Sequence, residues 1–139
     1  MNKINNRSNL IFLFCTVNQR IFGVFIKTKL EDIKPNVYYK DENSFAFSLN
    51  NNKIYKILIP EKAIKFKLSN NIIKIGNDGN SNGFYTFGKN VNDSGLLNNS
   101  KIFEFQKNNE LTEGLKELTE LEIFEINEKK IEWKDIIKI

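Results

Sequence analysis

The chain has 139 residues, 40% of them apolar and 12 of them phenylalanine, which suits the core of one compact domain. It has no histidine and a single cysteine, which excludes Ser-His-Asp and Cys-His catalysis within the chain as well as an intramolecular disulfide. The formal net charge is +4 with a pI near 9.1, a basic balance that attracts anionic partners only if the lysines share a face.

Lys3 and Arg7 precede the apolar run "LIFLFCTV" at residues 10–17. A membrane span takes about 20 residues, and no small-x-small cleavage site follows before Gln19 and Arg20. The run therefore reads as a buried strand rather than a signal, and the protein as cytoplasmic. "LIFLFCT" and "IFGVFIKT" flank the polar turn at residues 17–20 and are apolar at consecutive positions, which predicts a central hairpin covered on two faces. "SFAFSL", the turn Asn50, Asn51, Asn52 and "KIYKILI" predict a second hairpin, closed by Pro60. "AIKFKL" alternates, with Ile64, Phe66 and Leu68 on one face and Lys65 and Lys67 on the other. After Asn70 and Asn71, "IIKIG", "FYTF" and "KIFEF" read as further strands.

The C-terminal third changes character. Leu111, Leu115 and Leu118 have helical spacing interrupted by Gly114, so helix or loop is expected to about Leu118 and a strand over residues 119–126. In the tail, Ile131, Trp133, Ile136 and Ile137 fall near one helical face, which predicts a short amphipathic helix within residues 128–139. The expected organisation is an extension at 1–8, one domain at 9–127 and this tail.

Four stretches carry chemistry that needs weighing. Gly83, Gly88, Lys89 and Asn90 have the spacing of a phosphate loop, but Asn90 replaces the magnesium-holding hydroxyl. The intervening Phe84, Tyr85, Thr86 and Phe87 are strand formers and turn residues follow, so an aromatic strand is expected instead of an NTPase site. Asp78, Asn80, Asn82 and Gly83 open like a calcium loop, yet Lys89 stands where a bidentate Glu belongs; a polar loop is the reading, with weak calcium binding as the alternative. Cys15 lies in the most apolar strand and reads as buried filler rather than a peroxide-reactive thiol.

The fourth is charge. Lys53, Lys56, Lys62, Lys65, Lys67 and Lys74 crowd one stretch, while glutamates gather from Glu104 to Glu128. The lysines alternate with apolar residues and include no arginine for bidentate contacts, so they read as a solvated outer face. A basic β-sheet module binding nucleic acid or an anionic surface is the alternative function.

The order of these pieces resembles a TLDc domain. A hairpin carrying Phe22 and Gly23 leads to Ser44, Phe45, Phe47, Ser48 and Leu49. Gly76, Gly83 and Phe84 follow, then Phe103 and Phe105, and finally Leu121, Glu122, Ile123 and Phe124. The resemblance runs over residues 9–127 and rests on order and spacing. The family's helical segment and Trp-x-Leu-Leu-Tyr-like strand before the hairpin have no counterpart here, the glycine cluster is diluted to "GNDGNSNG", and Phe124 stands where Trp is common.

The resemblance implies a mainly β fold, a two-sheet antiparallel β-sandwich with short peripheral helices. It implies no catalytic centre, cofactor or metal, and motif positions that are mostly structural. Family members are linked to oxidative-stress protection and to regulation of the vacuolar proton-pumping ATPase, so the expected function is a non-enzymatic protein-interaction module with that pump as partner. Nucleic acid is not the expected partner. A shortened N-terminus would leave edge strands open to a second copy, making a homodimer a further expectation.

Overall fold

In the computed structural model, which describes residues 4–67, 72–76, 83–86, 95–97, 102–105, 118–126 and 129–131, the run "LIFLFCT" forms β1 (Leu10–Thr16). Leu10, Phe12, Phe14 and Thr16 are buried, and the residues between them are only half-buried. β2 (Ile21–Ile26) returns antiparallel with Phe12 opposite Val24, and Gln19 closes the turn in the left-handed region at φ 63°. This hairpin is central, as expected. β4 (Phe45–Ser48) pairs with β2, and β5 (Lys53–Lys56) pairs with β4 through a turn in which Asn52 adopts φ 52°. Asparagine tolerates this conformation better than most side chains, which gives the Asn-rich composition a structural use.

β10 (Leu118–Glu125) packs on the other side of β1 with Phe12 opposite Ile123, although the two strands lie more than 100 positions apart in the chain. β11 (Lys129–Ile131) pairs antiparallel with β10, completing a six-stranded sheet of order β11-β10-β1-β2-β4-β5. Residues 129–131 are therefore strand and not the helix predicted for the tail: the edge of β10 supplies ladder hydrogen bonds that helical spacing alone does not reveal. Residues 132–139, and the helical pattern at 110–117, lie outside the described residues.

The second sheet has the order β3-β6-β7-β8-β9, built from β3 (Tyr38–Tyr39), β6 (Ile64–Lys67), β7 (Ile72–Ile75), β8 (Gly83–Thr86) and β9 (Gly95–Leu97). The sheets enclose one core: Phe12, Phe14, Phe22, Val24 and Ile123 from the first meet Ile64, Phe66 and Ile75 from the second. All strand pairs are antiparallel, so the fold is a mainly β, two-sheet sandwich. The helix present among the described residues is a one-turn 3-10 segment, Pro60–Lys62, with Pro60 at its start.

Other details differ from the sequence reading. β9 arises in the stretch read as turn residues and β3 in one to which no element was assigned; strands of two and three residues are too short to show a period. "KIFEF" contributes no strand among its described residues, only a bridge between Phe103 and Ile57. Glu104 N donates to Lys56 O at 2.9 Å and Leu58 N to Ile102 O at 2.6 Å, so this segment runs along the end of β5. Cys15 is half-buried on the outer side of β1, because strict alternation turns it away from Phe14. Finally, residues 4–8, read as an extension, are packed onto the domain: Ile4 is 0% exposed in the core cluster, and Arg7 pairs with Glu125 of β10.

Candidate functional site

The positions carrying the TLDc resemblance fall on three parts of the sandwich. Phe22, Leu121 and Ile123 point into the core, where Phe22 stacks on Phe14 at 5.5 Å. Gly23 lies beneath a ring, since a Cβ there would meet Phe47 Cζ at 2.6 Å and the Phe12 carbonyl oxygen at 2.5 Å. Phe45 and Phe47 cover the outer side of β4, with Phe45 stacked on Phe25 at 5.2 Å. Glu122 and Phe124 share that outer side on β10, opposite Leu13 and Ile11 of β1.

The serines of "SFAFS" hold backbone. Ser44 Oγ, on a residue 3% exposed, donates to Phe25 O at 2.8 Å, and Ser48 Oγ accepts from Asn51 N at 3.0 Å to fasten the turn into β5. Leu49 N donates to Ile21 O at 2.9 Å while its side chain is exposed. Gly76 ends β7 at φ +59°, and a Cβ there would meet the Phe103 ring at 2.5 Å. Phe105 lies 4.9 Å from the Tyr55 ring and 6.1 Å from Phe103. Gly83 and Phe84 are strand residues of β8, in register with Leu97 and Leu96 of β9.

The decoy motifs resolve accordingly. Gly83–Thr86, the first part of the phosphate-loop pattern, is paired on both sides as β8, and a paired strand does not turn its N–H groups toward a phosphate. Residues 88–90 and the calcium-like residues 78–82 lie outside the described residues. Among the described residues no group of three His, Cys, Asp or Glu could hold a metal ion, and no helix is long and apolar enough to cross a membrane.

One polar residue not singled out in the sequence is Asp41, which is 3% exposed. Its Oδ2 accepts from Lys27 N at 2.6 Å and Thr28 N at 3.1 Å, and its Oδ1 accepts from Asn43 N at 2.9 Å. Both oxygens thus serve to join the end of β2 to the approach to β4. The Asx-turn half of this device was legible in "DEN"; the contact with residues 27 and 28 was not. Beside it, Lys27, Thr28, Lys40, Glu42 and Asn43 complete an open concavity of about 400 Å³. The exposed Lys40 ammonium is held above its ordinary pKa first by its hydrogen bond to Glu42, at 3.1 Å.

The structure divides the lysine stretch. Lys53 and Lys56 stand on β5 of the six-stranded sheet, Lys62 on the 3-10 turn, and Lys65, Lys67 and Lys74 on β6 and β7 of the other sheet. They do not form the one sheet face that sequence proximity suggested.

Comparison with known protein families matches the TLDc domain over residues 1–128. The chain belongs to the TLDc domain family. The matched region includes residues 1–8, in keeping with the burial of Ile4. No curated protein matches the chain. In this TLDc domain, Phe22, Phe45, Phe47, Phe103, Phe105, Gly23 and Gly76 of the motif are occupied with packing, and Ser44 and Ser48 with backbone hydrogen bonds.

Proposed function

We propose that this TLDc domain is a non-enzymatic protein-interaction module acting in the cytoplasm, in oxidative-stress protection, through regulation of the vacuolar proton-pumping ATPase. The observation that carries the reading is the TLDc match over residues 1–128. It is supported by the chemistry of the chain, which has no histidine, and by the structural engagement of the motif side chains. An exposed apolar edge is also available for contact: Leu49, Ile54 and Leu58 are 61%, 67% and 55% exposed around β5, and scattered singly such residues would carry little meaning.

The test is to add the purified full chain to purified vacuolar ATPase, and to measure both co-sedimentation and ATP hydrolysis. Binding with a changed hydrolysis rate is expected. A pump that neither retains the chain nor alters its rate would remove this partner.

A further inference from the structure

Register on the six-stranded sheet lines up three rows of residues across its strands. Lys56 of β5 lies opposite Phe45 of β4, Phe45 opposite Phe25 of β2, and Phe25 opposite Ile11 of β1. The next row runs through Ile54, Phe47, Gly23 and Leu13, and the third joins Ile21, Cys15 and Glu120 of β10. The alternate positions Phe12, Val24, Ala46, Tyr55 and Leu121 are buried in the core, so the three rows form the outer face. Its middle is apolar and half-buried, at Ile11, Leu13, Phe25, Phe45 and Phe47.

Three features interrupt this apolar surface. On β5, at one side of the sheet, Ile54 is 67% exposed. Toward the other side, Leu13, Cys15, Ile21 and Glu120 border a hollow of about 80 Å³, room for an aliphatic side chain. Lys56 and Glu120 are exposed at diagonally opposite corners, separated by four strand spacings of about 4.8 Å and four residues of about 3.4 Å each. Neither charge has an ion-pair partner among the described residues. A knob and a hole, and a cation and a carboxylate, thus stand on opposite sides of one apolar face. A two-fold axis lying in the face, perpendicular to the Lys56–Glu120 diagonal, turns each end of that diagonal onto the other in a second copy. The same rotation carries Ile54 toward the hollow beside Cys15 and Ile21, and sets the apolar rows of the two copies on each other.

We infer that the outer face of the six-stranded sheet binds a second copy of the chain in a two-fold dimer, with Lys56 of each protomer against Glu120 of the partner subunit and Ile54 seated in the hollow. Removal of apolar surface from water drives the contact, and the two equivalent charge pairs fix its orientation. An unrelated partner would have to match the hole and both charges separately; a second copy does so by symmetry. This contact stacks faces and leaves the backbone ladders untouched, unlike the pairing of open strand edges. It does not rest on the pump reading.

The experiment is sedimentation velocity of the full chain over about 1 µM to 1 mM, since a face of this size should associate in the micromolar range. The parent should pass from monomer to dimer across that range. Ile54→Asp should weaken the dimer at least about tenfold. Lys56→Glu and Glu120→Lys should each weaken it about tenfold or more, because every contact occurs twice in a two-fold dimer. Combined in one chain, the two reversals restore opposite charges and should return the affinity to within about threefold of the parent. All three side chains are exposed, so thermal unfolding of the variants should match that of the dilute parent, which separates lost association from lost folding.

A chain that stays monomeric throughout overturns the inference. So does a dimer indifferent to Ile54→Asp, which would place the contact elsewhere, or a charge-exchanged double variant no tighter than the single ones. A monomer whose Ile54→Asp variant loses binding to the vacuolar ATPase would also overturn it, and would assign the face to the pump.

Discussion

The ring of Phe103 occupies the space a side chain at residue 76 would need, since a Cβ on Gly76 would lie 2.5 Å from Phe103 Cε2 and 2.8 Å from Cδ2. Gly76 also has φ +59°, and its N–H donates to Ala63 O at 2.8 Å. Gly76→Ala should therefore cost about 2–4 kcal/mol, from left-handed backbone strain and overpacking together. Urea unfolding measures it. The double variant Gly76→Ala/Phe103→Leu should cost less than the sum of its parts, because the smaller side chain yields the contested volume.

Gly23 behaves differently, because one of its near neighbours is backbone. Its Cβ would meet the Phe12 carbonyl oxygen at 2.5 Å as well as the Phe47 ring. Gly23→Ala should destabilise by about 1–3 kcal/mol. Adding Phe47→Ala should recover only part of that, since the carbonyl cannot withdraw without disturbing the β1–β2 ladder. Additive losses in the double variant would refute the assignment of Phe47 as a source of the clash.

The Asp41 carboxylate is the acceptor for three backbone N–H groups. Asp41→Ala leaves these donors without that acceptor and should cost about 2–4 kcal/mol. Hydrogen exchange gives the site-specific readout: the amides of Lys27, Thr28 and Asn43 should exchange faster than those in the middle of β2. Unchanged protection at residues 27 and 28 would mean that the carboxylate does not hold this junction.

Ile4 is 0% exposed within the core cluster, while Val17 is 46% exposed in a turn. Ile4→Ala should cost about 2–4 kcal/mol, the range for a buried aliphatic truncation, whereas Val17→Ala should stay within about 0.5 kcal/mol. Similar melting temperatures for the two variants would return residues 4–8 to the status of an extension.

The positions legible in sequence are those whose cause is local. Alternation in "AIKFKL" is a period of two, and it announces that Ile64 and Phe66 of β6 enter the core before any partner is known, whereas "LIFLFCT" is apolar at consecutive positions and only the structure shows that Leu10, Phe12 and Phe14 are its inward side. The turns at Gln19 and Asn52 fall between apolar runs, and Asn52 is a residue type tolerant of the positive φ such a turn requires. The TLDc resemblance was legible for the same reason, because the order of short aromatic strands survives even where single motifs are diluted.

What only the tertiary structure decided is who faces whom. The pairing of β1 with β10, the strand at 129–131, the burial of Ile4 and the anchoring by Asp41 all join segments distant in the chain, or depend on an edge supplied from elsewhere. Charge illustrates the point most directly. By itself the sequence determined that lysines crowd residues 53–74, but the turn after β5 sends Lys53 and Lys56 to one sheet and Lys65 and Lys74 to the other. Register then sets Tyr38 beside Lys65. Local propensity acts over a few residues, whereas a sheet face is composed by hydrogen-bonded neighbours that the chain brings together only on folding.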